Sequence, residues 1–499
     1  MRQSLHGLTN LLVSRLTFRQ VPADPCWPSD SAWASLNATV SGRLIRTQLP
    51  ASVCYSSEAN YDPEACEALM SSWTTSAFHS NDPASVPGPQ AADNSCNPIY
   101  PNGTSVAGDP NAGSKGCSIG NYPPYVVNAT EAGHVQAAVK FAIDHNLRLN
   151  VKNTGHSSYR AVAHGSLSIW THHMKGFEFH DRFIPAGCPA NSPDAHMAAT
   201  VGAGTQDAEV FSKAGEHKAI MVGGTNPDVG VLGWATGGGH GFMTTTYGTG
   251  ASNILSPSVV TLTGELVTAN ACQNTDIYWA LRGGGSGTVG VVLSLTMAAY
   301  PEPFVNLGTV NIAARNGSST STNSTAWYAT VARAHALLPA LHDAGFQGYY
   351  VLAAPAEKGA QPPSFGLSLF NLEKDNVTVQ AAWRGFATAL EKGFDNEQTT
   401  ATASLTARVG TWSELYAALP APGDSAGKGG GARTSRLISR KVVLEDEEAL
   451  ARTLERVGPG LVPQKVSGGM LLCLSSSSSF LLPAYISMRL FASPLFPSC

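Results

Sequence analysis

Apolar and polar side chains alternate along Leu147–Lys152, with Leu147, Leu149 and Val151 set against Arg148, Asn150 and Lys152. A period of two predicts a half-buried strand whose apolar side faces the core. The alternation stops at Asn153-Thr154-Gly155, a turn cluster, and His156 follows at once. A strand ending in a glycine-containing turn turns backbone N–H groups outward, which suits an anion such as a pyrophosphate. The same residues taken alone also describe an ordinary surface turn.

On either side the pattern changes period. Val135, Ala138, Val139 and Ala142 share one face of a predicted helix, with Thr130 as its expected cap. Ser166–Thr171 reads as a second short strand. Beyond Pro301, helix-like segments 326–341, 377–392 and 445–457 alternate with strand-like 348–354 and 365–372. Residues 420–435 read as a Gly/Ala/Ser loop, and after Gln464 neither period is evident. Residues 1–117 are irregular and proline-rich. The expected organisation is therefore an N-terminal extension (1–117), a first domain (118–301), an α+β domain (302–469) and a Ser-rich tail (470–499).

Composition narrows the class. The chain has 499 residues, 43% of them hydrophobic and only 13% charged, with a formal net charge of -4. That charge leaves no footprint for nucleic acid, and no apolar run reaches the ~18 residues of a membrane span. Cys26, Cys54, Cys66, Cys96 and Cys117 crowd the first quarter, and no CxxC pair points to zinc. Crowding and nearness suggest Cys54–Cys66 and Cys96–Cys117 among several possible pairings. Sequons at Asn37, Asn102, Asn128, Asn316, Asn323 and Asn376 agree with a secreted or secretory-pathway protein, Asn128 being the favoured site near the strand–turn–His segment. The N-terminus carries no convincing signal peptide, since the apolar stretch 8–13 is short and followed by Arg15 and Arg19.

Two glycine-rich segments hold the remaining chemistry. Gly223–Gly241 has eight glycines in nineteen residues, which excludes a stable helix or ordinary strand and lets main chain approach a flat or phosphorylated ligand. Gly285-Ser-Gly-Thr-Val-Gly290 fits GxGxxG, but a helix-like segment precedes it and a strand-like one follows. A nicotinamide fingerprint needs the reverse order, so that reading is rejected. The adjacent His172-His173 has no evident third ligand, and no metal site is expected.

Taken together, Lys152-Asn-Thr-Gly-His156-Ser-Ser, Trp170-Thr-His-His173, Asn226-Pro-Asp-Val-Gly-Val-Leu-Gly233, Gly237-Gly-Gly-His-Gly241, Tyr247-Gly-Thr-Gly-Ala-Ser-Asn253 and Tyr278–Val292 resemble the berberine-bridge-enzyme-like oxidases. These belong to the vanillyl-alcohol-oxidase-like flavoproteins. The resemblance implies a PCMH-type FAD-binding domain of two α/β subdomains plus an α+β substrate domain with an antiparallel sheet. It implies FAD contacts at Asn153, Thr154, Gly155, His156, Ser157, Ser158, Gly224, Thr225, Asn226, Gly230, Gly233, Gly238, Gly239, His240, Gly241, Tyr247, Asn253 and Val292. His156 would carry a covalent flavin, and it alone, because Asn226 stands where many members place a second, cysteinyl link.

The implied reaction is hydride transfer from a small organic alcohol, sugar or secondary metabolite to flavin, with dioxygen as the expected acceptor and a monomer as the expected state. The terminal segment that supplies the family's catalytic base has no counterpart after Gly469. Hence the alternative expectation is a catalytically silent flavin-binding protein, and the base is unassigned.

Overall fold

The computed structural model describes residues 20–191, 195–316, 323–353, 362–372, 376–418, 433–457 and 470–475. Residues 1–19, 192–194, 317–322, 354–361, 373–375, 419–432, 458–469 and 476–499 and the Asn376 side chain lie outside the described residues.

Strand β3 (Arg148–Lys152) forms where the alternation predicts it, beside β4 (Ser166–Trp170) and β2 (Tyr125–Asn128), the three running parallel in the order β2-β4-β3. Strand β1 (Leu44–Arg46) adds an antiparallel edge to β2. The helix Ala132–Asp144 closes the layer, burying Val135, Ala138, Val139 and Ala142 as its period requires. Its start differs from expectation. Glu131, not Thr130, occupies the cap position, and the Thr130 hydroxyl lies 3.4 Å from the His134 ring instead.

The faces of β3 also differ from expectation. Asn150 and Lys152 are the buried pair, whereas Leu149 and Val151 are half-buried. The polar face can sink because its groups are satisfied: the Asn150 amide donates to the Ala161 carbonyl (2.6 Å) and Ser168 Oγ (2.9 Å), and accepts from Ser166 Oγ (2.6 Å).

A second, antiparallel sheet follows in the order β5 (Phe177–Phe183), β6 (His196–Gly202), β10 (Gly290–Pro301), β8 (Ile254–Thr261), β9 (Leu266–Thr268), with β7 (Ala219–Met221) on the far end of β10. A third sheet, β12-β13-β11-β14, is antiparallel throughout. It comprises β11 (Phe304–Ala314), β12 (Phe346–Ala353), β13 (Ser364–Leu372) and β14 (Thr399–Thr411). Trp327, Tyr328, Trp383 and Phe386 fill its covered face.

Three sequence expectations are corrected here. The segment 326–341 is two helices, Ser324–His335 and Leu338–Asp343; Pro339, lacking an N–H, sits in the first turn of the second. Arg440–Glu445 and Glu447–Val457 are likewise separate, with Asp446 outside helical geometry. Arg433–Ile438 and Met470–Ser475 pair as antiparallel strands β15 and β16. That pairing is carried by backbone hydrogen bonds, which need no alternation of side chains.

The disulfides Cys54–Cys66 and Cys96–Cys117 are formed as expected. A third, Cys188–Cys272, ties the loop after β5 to the segment after β9 across 84 residues. Closing so long a loop restricts the unfolded chain strongly. The double substitution Cys188→Ser/Cys272→Ser should lower unfolding free energy by about 2–4 kcal/mol, read as a shift in urea midpoint at constant slope.

Candidate active site

A cavity of about 690 Å³ opens along the carboxyl end of β3 and the turn that follows. That volume falls in the range of cofactor sites. Asn153, Thr154, Gly155, His156 and Ser157 line it from one side, and Gly230, Gly233 and Val292 from the other. Ser158 sits just beneath, its Oγ accepting from the Gly88 N–H at 2.9 Å and donating to the Gly155 carbonyl at 3.2 Å. Gly155 takes φ +82°, and a Cβ there would press on Lys152 Cε and the side chain of Val86.

The rest of the expected set lies outside the lining. The Gly224 N–H is held by the buried Asp207 carboxyl at 2.8 Å, and Asn226 Oδ1 accepts from the Asp228 N–H at 2.9 Å, shaping the turn that includes Thr225. Gly238, Gly239, His240 and Gly241 form the next bend. Trp234 donates to the His240 carbonyl, and Gly239 rests on the Trp234 ring, whose residue does line the cavity. The His240 ring meets the Tyr349 hydroxyl of β12 at 3.0 Å, and burial pushes its pKa down. Asn253 donates to the Tyr247 and Thr249 carbonyls (2.8 Å each) and accepts from the Tyr300 hydroxyl (2.7 Å). Tyr247 and Asn253 therefore brace the bend.

Sequence reasoning missed five contributors. Asp228 carries the geometry around His156: its Oδ2 lies 3.2 Å from His156 Nε2 and also accepts from Ser80 Oγ, while Gln206 Nε2 donates to Oδ1 at 2.6 Å. Burial alone would raise the Asp228 pKa, but these hydrogen bonds and the His156 ring hold it below the usual carboxylate range. A carboxylate only accepts, so the ring nitrogen facing it, Nε2, is the one that carries a proton.

Arg160 lies on the cavity wall, as do Arg148 and Lys152, and is anchored to Ser157 Oγ at 2.8 Å. Ser286 and Thr288 come from the GxGxxG segment, which lies between the helix Thr275–Gly284 and β10 as the sequence indicated, and lines the cavity all the same. Lys152 is wholly buried behind the turn. Its ammonium donates to the carbonyls of His79 (2.9 Å) and Asp82 (2.7 Å), and burial draws its pKa down to about 7, against the pull of Asp82 and Asp228.

The wall fits a large ligand with a flat apolar part and an anionic part. Gly233, Gly284 and Gly287 all line the cavity, and a Cβ at any of them would meet no atom within 4 Å. Leu149 and Val151 present half-buried apolar surface to it, and the buried Asn153 Nδ2 has no partner among the described residues. Each is a feature that bound ligand would cover or satisfy.

A family described as FAD binding domain matches residues 123–270. The chain is 33% identical over 467 residues to the FAD-linked oxidoreductase apf9 of Gibberella fujikuroi, covering 91% of this chain and 76% of that one. The crystal structure of the VAO-type flavoprotein MtVAO615 from Myceliophthora thermophila C1 aligns with a TM-score of 0.77 at 31% identity, over 93% of this chain and 83% of that one. The chain belongs to the VAO-type FAD-linked oxidoreductases. BBE-like 1 of Physcomitrella patens shares the fold, with a TM-score of 0.50 at 18% identity. The chain spans about half the length of the first curated relatives it matches, 56%, 49% and 47%.

Within this VAO-type fold the His172-His173 pair is structural. His172 Nδ1 lies 3.1 Å from Asn153 Oδ1 and Nε2 3.3 Å from Asn81 Oδ1; His173 Nδ1 meets Asn128 Oδ1 at 2.8 Å. Burial, with the nearby Lys175 and Lys152 charges adding to it, pushes the His172 pKa down to about 4. The unfolded ring titrates near ~6.5, so the unfolded chain takes up the proton first. Stability should therefore fall as pH drops from about 6.5 toward about 4. Urea midpoints across that range test this, and His172→Gln should flatten the slope.

Proposed function

We propose that this protein binds FAD in the cavity beside β3, linked covalently through His156 alone, and oxidises a small organic alcohol, sugar or secondary metabolite with dioxygen as acceptor. The observation that carries the reading is the His156–Asp228 pair on the wall of a glycine-lined cavity, in a chain of the VAO-type family. When bound, the flavin supplies the two-electron acceptor for a hydride from substrate.

The chain's own residues divide the remaining tasks. The 153–157 turn and the Arg160 guanidinium receive the pyrophosphate's charge. Gly233, Gly284 and Gly287 leave room for the ligand's faces. Asp228 holds the Nε2 proton of His156, so Nδ1 is the nitrogen free to bond. Asn226, in an Asx turn, offers no thiol for a second link.

The disulfides formed among the described residues support an extracellular or secretory route. Among the described residues no helix is long and apolar enough to cross a membrane. We read Asn102, Asn316 and Asn323 as glycan acceptors, since these residues are exposed, whereas Asn37 and Asn128, the latter favoured from the sequence, are half-buried.

The test is anaerobic mixing of purified protein with a panel of benzylic alcohols and reducing sugars, followed by air. Bleaching of a visible flavin band and its return with oxygen uptake are expected. A colourless protein would overturn the flavin reading, and a yellow one that no panel member bleaches would overturn the substrate class.

A further inference from the structure

The helix Ser76–Asn81 belongs to the N-terminal extension, not to the segments that build the cavity wall. Ser76 and Ser80 stand one turn apart on it, so they share a face. Both are buried, and both hydrogen-bond the Asp228 carboxylate that holds His156. Ser80 Oγ also lies within 3.3 Å of the Thr154 carbonyl, in the turn just before His156. Next to it, Lys152 grips the carbonyls of His79 and Asp82, and the Gly88 N–H binds Ser158 Oγ. Neighbouring residues of the extension thus grip the flavin turn at several points.

We infer that Ser76 and Ser80 are positioning residues for flavin attachment, holding Asp228 so that the carboxylate fixes the His156 ring and receives the charge that develops on it. This rests on the covalent reading of His156. In the attachment step the imidazole Nδ1 lone pair forms a bond to the C8 methyl carbon, and one methyl C–H bond breaks with its hydrogen leaving as a proton. The electron pair of that C–H bond remains on the ring system and is taken up later by dioxygen, the acceptor already named. The imidazole gains a positive charge while keeping its Nε2–H on Asp228.

Two hydroxyl donors on Asp228 keep its Oδ2 aimed at Nε2, so the charge forms against a fixed partner instead of a mobile one. Free carboxylate rotamers would also permit the other tautomer, whose Nδ1 carries the proton and cannot attack. The extension is in this way a component of cofactor loading, although it contributes no wall to the cavity.

The test uses full-length protein produced without flavin, to which FAD is added. Covalent incorporation is followed by flavin fluorescence of acid-denatured samples, and reversible binding by fluorescence quenching before denaturation. Ser76→Ala/Ser80→Ala should slow attachment by about tenfold or more, the range for losing hydrogen bonds to a charged group. Its thermal midpoint should fall by a few degrees for the lost buried hydrogen bonds, its reversible affinity should stay near wild type, and Ser80→Thr, which keeps a hydroxyl, should attach faster than Ser80→Ala.

Attachment by the double variant at the wild-type rate would overturn this inference while leaving the covalent reading intact. A parallel loss of reversible binding and thermal stability, with no rescue by threonine, would overturn it in favour of a merely structural helix. Wild-type protein that releases all its flavin on denaturation would overturn both.

Discussion

His156→Ala protein should release all of its flavin into the supernatant on acid denaturation, while the wild-type precipitate stays yellow. The reason lies in the turn after β3. Asp228 faces His156 Nε2, which makes Nδ1 the nitrogen left for the flavin, and among the described residues no cysteine lines the cavity to offer a second attachment. The variant should still bind FAD reversibly, since the glycine-lined wall and Arg160 are untouched. Turnover should nevertheless fall by about 10²-fold, because a one-sided tether fixes the ring's geometry and tunes it as an oxidant. Comparing bound and released flavin by absorbance, with and without denaturation, checks both parts.

Lys152→Met should be the most destabilising single change near the site. The side chain is wholly buried, and its ammonium satisfies two backbone carbonyls that would otherwise be stranded in the core. Methionine fills similar volume but donates nothing. Leaving two buried acceptors unpaired, and Asp82 without its neighbouring charge, should lower unfolding free energy by about 2–4 kcal/mol, after allowing for the relieved cost of burying a cation. The loss should extend to cofactor binding, since Lys152 locks the extension against the turn that carries His156. A urea midpoint equal to or above wild type would mean that the buried charge costs as much as its hydrogen bonds return.

The elements that position the site were legible wherever the period of side chains coincides with the geometry of burial. The helix Ala132–Asp144 obeys that rule, and the ends of β3 and β4 fall close to expectation, although β4 is buried at every position. Strand β14 was invisible because Thr399, Ala401 and Ala403 are small, so its alternation carries almost no hydropathy contrast. The polarity of β3 was read with the wrong face inward. Hydropathy cannot anticipate that Asn150 finds partners on Ala161, Ser166 and Ser168 and Lys152 on a remote segment of the extension, nor that Leu149 and Val151 face a cavity.

Within the site, the turn residues and His156 were signalled by glycine and by the family resemblance. Asp228 stood inside a quoted motif, yet its role depends on a carboxylate meeting an imidazole 72 residues away. Arg160 was available as the cation two residues past Ser158. Ser76 and Ser80 carried no signal, since buried serines on a short helix look like any others until Asp228 appears beside them. The helix and strand that flank the GxGxxG segment hold the order the sequence indicated. It contributes open glycine wall instead.

Peptide mapping of the wild-type protein tests the central claim most directly. After proteolysis, the account predicts a flavin on the peptide that contains His156 and on no other, joined through Nδ1. An unmodified His156 peptide, with the flavin free in solution or attached elsewhere, would contradict it.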